Sequence, residues 1–536
     1  MYNAIKKLIL ISCSVGFILT LVILVIFRGN MNVYKANVFS ISNALLLVFG
    51  LIILALTLFI NLKFGNKIES LLRKNTVLLL SISLFLLLAV RLCICYFGYF
   101  TPGWDAGTIL KTTESLVRGT DVADPDYYSM FPNNLLIVWI YTIIGKIAVL
   151  LGVGNIGLAL LAFQSVICTV GVLMVFLITK DMTGSLKTAW FAYLTAFILI
   201  GLSPWFLVAY SDATGIVLPL VVVRLYQISG KCRMPICNYF LRVLIGMISV
   251  AAFYIKPQLL IAFIAVILID IAGLFRTKTG IRKLKSTIGN IVSVVIGISL
   301  FLTIYRLLIT PSLNIEIDPE KSVSVKHYIM IGLNDSTDGI YSDPDYQYAR
   351  SFDTREERDE AEMDRAMQRL EAYDTAGLLS HLADKHVENY GDGTFAWGVE
   401  GEFFEEWGVR TESGIGKIIR FTISGDGLKY KIFTNTFQMI WLTVMFLVVF
   451  VACSGFSDKK RPASDASLDI DVLLIMVLSI IGLTLFELLF EARARYLFCY
   501  APVYVILAAV GYRNISHMLF LKHKGSSVIT YPQTIS

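Results

Sequence analysis

Residues 134–151, NLLIVWIYTIIGKIAVLL, are apolar almost throughout, and whether they cross a membrane decides the sidedness of all that follows. The stretch begins after Pro132 and stops at Gly152-Val153-Gly154-Asn155. It is a little short for a span, which needs about 20 apolar residues. Full spans are expected near 8–27, 40–62, 77–97, 156–179, 186–205, 210–228, 239–255, 257–275, 286–309, 433–456, 468–490 and 495–512. Short loops rich in Lys and Arg stay cytoplasmic. Such loops carry Lys6 and Lys7, then Lys63, Lys67, Arg73 and Lys74, then Lys180 and Lys187, then Lys231 and Arg233. Arg276, Lys278, Arg282, Lys283 and Lys285 form the strongest cluster, followed by Lys459, Lys460 and Arg461 and by the tail with Arg513, Lys522 and Lys524. The third span ends outside, while Lys180 and Lys187 belong inside. An odd number of crossings must separate them, yet two apolar stretches lie between. The parity closes if 134–151 dips part-way or lies in the interface, its ends buried by other helices. Both termini are then cytoplasmic. Segments 28–39, 98–155, 206–209, 310–432 and 491–494 face outward, as does the break at Lys256-Pro257.

Composition supports a membrane chain. Hydrophobic residues make up 56% and charged residues 16%, whereas a soluble domain carries about a quarter charged residues. The apolar run from Leu8 follows Lys6 and Lys7 and lacks a small-residue cleavage site, so it reads as an uncleaved first span. The net charge of +6 sits in short clusters between apolar runs and implies no nucleic-acid partner. The eight cysteines are scattered and none falls in 310–432, so neither a disulfide framework nor a zinc site is expected. Cys232 and Cys237 are the nearest pair and read as small apolar side chains near spans.

Polar residues on the outward segments form four constellations. In the first, Trp104-Asp105 lies just beyond a span, within Tyr99-Phe100-Thr101-Pro102-Gly103-Trp104-Asp105. Asp105 reads equally as a loop carboxylate or as a base held at the membrane surface. Asp121, Asp124 and Asp126 follow beside Pro125 and read as turn residues. Tyr127-Tyr128 then leads to Pro132-Asn133-Asn134, where Asn133 is a candidate helix cap. The second is Tyr210-Ser211-Asp212, where Asp212 is either the N-cap of the next span or a second acid on the Asp105 surface. The third is Tyr254-Ile255-Lys256-Pro257: Lys256 either snorkels outward or holds a phosphate. The fourth is Glu491-Ala492-Arg493-Ala494-Arg495-Tyr496. Two arginines in a short outward loop run against the positive-inside bias, and Arg grips phosphate oxygens by paired hydrogen bonds; pairing with lipid headgroups is the alternative.

The long segment 310–432 contains His327-Tyr328, a charged helix from Thr354 to Tyr373 with a capping box at Thr354 and Glu357, and an amphipathic helix from about Thr375 to Tyr390. Asp392-Gly393-Thr394-Phe395-Ala396-Trp397-Gly398-Val399-Glu400 follows. Glycine-spaced aromatics and acids suit carbohydrate contact or packing onto the membrane domain.

Taken together, the order and sidedness of these features resemble the GT-C superfamily of polyprenyl-phosphate-sugar glycosyltransferases, which includes protein O-mannosyltransferases and the lipid A aminoarabinose transferase. The resemblance runs from about residue 77 onward. It rests on an acid after the first module span (Asp105), a Pro-Asn start before the next, a second acid opening a later outward loop (Asp212), and a large loop after 286–309. It implies an all-α polytopic fold of about a dozen spans plus an interfacial or half-crossing helix. Two N-terminal spans occupy 1–76, a catalytic module 77–309, a mainly helical extracytoplasmic loop domain 310–432, and the C-terminal spans with a cytoplasmic tail 433–536. The implied activity is inverting transfer of a sugar from polyprenyl phosphate to a cell-envelope acceptor outside the cell membrane. The resemblance makes Asp105 the base and gives Asp212 the orienting role. Lys256, Arg493 and Arg495 are its phosphate ligands. Trp104, Tyr128, Asn133, His327, Asp392, Trp397 and Glu400 are candidate sugar or acceptor contacts. The acidic pair common in relatives is here Asp105-Ala106, and their Lys-Pro-Pro is here Phe131-Pro132-Asn133, so neither metal nor other cofactor is implied. A flippase or transporter, or a polymerase or ligase of lipid-linked saccharides, shares the many-span plan and stands as the alternative.

Overall fold

The computed structural model describes residues 2–27, 39–275, 280–397, 404–455 and 468–526. Among them, eleven helices are long and apolar enough to cross a membrane, from Tyr2–Ile26 to Ala494–Phe520, and a shorter apolar helix is Leu186–Gly201. The chain is an all-α polytopic membrane protein. Ala494–Phe520 is its central post, the most deeply buried of the spans. Gly511 on this post lies against the Leu447 backbone so closely that a side chain has no room.

The sequence reading places a loop at 63–76, and the structure corrects it. Residues Asn43–Phe97 form one helix of 55 residues. Lys, Arg, Glu and Leu in the joining turn are good helix formers, and Arg73 pairs with Glu69 one turn back at 2.8 Å. Straight, such a helix would measure roughly 80 Å. Yet both ends meet one short stretch: Asn43 accepts from Gln438 Nε2 at 2.9 Å, and Gly98 abuts Ile419. Because 419–438 is largely helical, it spans at most about 40 Å. The long helix therefore bends, and its two arms are the spans expected at 40–62 and 77–97. Midway, Glu69 meets Lys187 at 3.6 Å, beside the start of Leu186–Gly201.

The decisive stretch is a 16-residue helix, Leu135–Leu150, entered through the 3-10 turn Pro132–Asn134. Pro132–Leu150 has the length and composition of a span. Its Gly145 packs on Val117 of the helix Trp104–Arg118 and on Ile156. The part-way reading predicts that a cysteine at Val153, which is 41% exposed, reacts with an impermeant maleimide added from outside. Labelling from the cytoplasmic side alone would show a full crossing.

Segment 310–432 is mostly helical, through Val325–Gly332, Asp343–Arg350, Arg355–Ala372, Thr375–Tyr390 and Gly414–Ile423. Thr354 caps its charged helix, accepting from Glu357 N at 3.3 Å. A strand, Phe404–Trp407, pairs antiparallel with Phe100–Pro102, just ahead of Asp105. The segment is not a detached cap. Thr375–Tyr390 ends inside the bundle, where Tyr390 OH meets Thr484 Oγ1 at 2.6 Å and Tyr504 OH at 2.7 Å.

Candidate active site

Asp105 occupies the first turn of Trp104–Arg118, where an acid complements the helix dipole. Trp104, directly before it, has φ 53° and is 42% exposed. A bulky residue rarely adopts that backbone, and such strain gathers at functional sites. Tyr210 OH donates to Asp105 Oδ2 at 3.0 Å. Tyr127 lies close enough to feel the same carboxylate, and Asn134 Nδ2 donates to Tyr127 OH at 2.7 Å. Asn133 Nδ2 donates to Asn134 Oδ1 at 3.4 Å, so its amide joins this chain rather than capping a helix. Burial first, and then the Asp105 charge, push both the Tyr127 and the Tyr210 hydroxyls well above their ordinary values. Both phenols stay protonated and are available as donors to the carboxylate.

Tyr210 also links Asp105 to the cations. The Arg495 guanidinium lies 5.7 Å from the Tyr210 ring centre and 5.6 Å from that of Tyr496. Lys256 Nζ sits 4.2 Å from the Tyr496 ring, and Tyr496 OH donates to Glu491 Oε2 at 2.9 Å. Arg493 Nε donates to Glu491 Oε1 at 2.9 Å. From the loop segment, Tyr328 comes within reach of the charges of Glu491 and Asp105. A carboxylate thus lies one tyrosine away from an arginine–lysine cluster.

Behind Tyr210, Gln164 Nε2 donates to the Tyr210 carbonyl at 3.3 Å and to Tyr141 OH at 2.6 Å. This buried network fixes the backbone that carries the phenol. Asp212 does not cap the helix: it is buried, and its Oδ1 accepts from Lys256 Nζ. Lys256 is buried as well and does not snorkel.

Other candidates fall elsewhere. Tyr128 is fully buried, its ring edge-on to Tyr127 at 5.0 Å. His327 joins two loop helices through Nδ1 and Glu362 Oε1 at 2.7 Å. Asp392 ties down the turn in which Phe395 and Ala396 take φ 57° and 62°. Its carboxylate accepts from Thr394 N at 2.6 Å and Ala396 N at 3.0 Å. Trp397 donates to the Ile423 carbonyl at 2.7 Å and packs edge-on against Trp205. Both are committed to seating the loop in the bundle. Glu400 lies outside the described residues.

Lys385 has no counterpart among the sequence candidates. On Thr375–Tyr390 it is buried and donates to the carbonyls of Gly332, Leu488 and Phe490 at 2.7, 2.8 and 2.7 Å. It fastens the loop to the segment that leads into Arg493 and Arg495. Burial pushes its ammonium down to about 8, against the opposing charges of Glu487 and Glu491; the free side chain titrates near ~10.4. Between about pH 8 and pH 10 the unfolded chain therefore holds a proton that the folded one has released, and stability rises with pH across that window. The stability difference between wild type and Lys385→Met is expected to grow by about 2 kcal/mol over it. Denaturation midpoints of both proteins across the window check this; a constant difference would count against the buried ammonium.

Comparison with solved structures finds the crystal structure of ArnT from Cupriavidus metallidurans bound to undecaprenyl phosphate. The identity is 11% and the TM-score 0.30, covering 85% of this chain and 81% of that one. Comparison with curated proteins finds no match. Residues 1–515 match the family described as conserved hypothetical integral membrane protein, and the chain belongs to that family of integral membrane proteins.

Proposed function

We propose that this protein is an inverting glycosyltransferase that moves a sugar from a polyprenyl-phosphate donor to a cell-envelope acceptor at the outer membrane face. The observation that carries the reading is the path Asp105–Tyr210–Arg495 with Lys256 and Tyr496 behind it. Asp105 takes the proton from the acceptor hydroxyl as that oxygen attacks the anomeric carbon. The bond from that carbon to the lipid phosphate breaks on the opposite side, and the phosphate leaves with the electron pair. Arg495, with Lys256 and Arg493, stabilises the negative charge developing on it. Tyr210 and Tyr127 hold the carboxylate in place. No step calls for a metal or other cofactor.

Purified protein in liposomes, supplied with a polyprenyl-phosphate sugar and an envelope extract, is expected to release polyprenyl phosphate as a glycosylated acceptor forms. Movement of the lipid-linked sugar between leaflets without any transfer would overturn the reading in favour of a transporter.

A further inference from the structure

A cavity of about 380 Å³ lies between the first span, the loop helix Thr375–Tyr390 and the span Ile470–Leu489. This is within the range of roughly 300–1,000 Å³ typical of ligand sites. Leu19, Leu379 and Leu485 line it and are 56%, 64% and 62% exposed, so it opens on the outer surface of the helix bundle. Two of its three walls are helices with the length and composition of membrane spans. Gly16 forms part of the wall, and a side chain built there would meet nothing within 4 Å.

Both threonine hydroxyls of the lining are hydrogen-bonded. Thr20 Oγ1 donates to the Gly16 carbonyl at 3.0 Å and lies 2.8 Å from His386 Nε2. Thr484 Oγ1 donates to the Ile480 carbonyl at 2.8 Å. Burial pushes the His386 imidazolium down to about 4, so the ring is neutral at ordinary pH. The lining contains no Lys, Arg, Asp or Glu. Without a charged group to grip a headgroup, this mainly apolar lining suits a hydrocarbon chain.

We infer that this cavity is a binding site for one acyl chain of a bilayer phospholipid, wedged between the first span and the loop helix. The occupied site joins that helix to the bundle one residue from Lys385, and so supports the clamp on the Arg493–Arg495 segment. The inference stands on the cavity and does not depend on the catalytic reading.

A ligand that binds only the folded state raises the apparent unfolding temperature. Delipidated wild-type protein in detergent is expected to gain a few °C on addition of dioleoyl phosphatidylglycerol. Gly16→Leu, whose side chain fills the space, is expected to begin at the higher midpoint and to gain nothing from lipid. Leu379→Trp, which plugs the cavity from the loop side, tests the same point should Gly16→Leu fail to fold. Ile18→Phe, on the same helix but outside the cavity, should keep the wild-type response. A plugged variant that responds to lipid like wild type would overturn the inference. So would a rise produced by polyprenyl phosphate and not by the phospholipid.

Discussion

Asp105→Asn is expected to slow sugar transfer by about 10²–10⁴-fold, the usual weight of a general base, while leaving the fold and donor binding intact. The substitution keeps the shape of the side chain and an oxygen that accepts from Tyr210 OH, now 3.0 Å away. It removes the negative charge and with it the ability to take a proton. Tyr210→Phe provides the contrast. It removes one donor from the carboxylate but leaves the base, so its cost should be nearer the ~1 kcal/mol of a single hydrogen bond, several-fold in rate. Turnover of a polyprenyl-phosphate sugar by the purified variants, with donor binding measured separately, checks both. Full activity in Asp105→Asn would end the assignment of Asp105 as the base.

What the sequence could disclose follows from which features are local. Spans show in runs of apolar residues, and Arg493 and Arg495 show because they break a charge rule that depends only on neighbouring residues. Asp105 shows by its place after a span. Partnerships are different. Tyr210 and Asp105 are far apart in the chain and meet only because separate helices pack, which no periodicity encodes. The same holds for Lys256 and Asp212, each of which reads alone as an outward group and is in fact buried against the other. In the loop the partners are equally hidden: His327 pairs with Glu362, and its neighbour Tyr328 lies within reach of the charges of Glu491, Asp105 and Glu362. Around Asp392 and Trp397 composition leaves two readings open. Glycines, acids and aromatics serve a sugar platform or a tightly capped turn equally well, and here the carboxylate is spent on backbone N–H groups. The reversal between 40–62 and 77–97 is legible, but a loop is read where good helix formers in fact carry one helix, Asn43–Phe97, through it.

Lys256→Met is expected to cost about 3–5 kcal/mol of stability, the usual result of stranding one member of a buried ion pair. Asp212 is 1% exposed and Lys256 6%, so neither water nor salt can take the place of the missing partner. Asp212→Asn should cost less, because an amide facing the ammonium keeps an accepting oxygen. Combining Lys256→Met with Asp212→Asn removes both charges and should recover much of the loss, as uncharged replacements of buried pairs often do. Activity should not follow stability. If Lys256 acts on the donor phosphate through its place beside Tyr496, the stabilised double variant still lacks that charge and stays slow, with the defect in kcat as well as KM. If the pair serves the fold alone, the double variant recovers transfer together with its unfolding temperature. Thermal unfolding and transfer rates measured on the same three preparations separate the two roles, because only a charge used on the phosphate leaves a well-folded enzyme impaired.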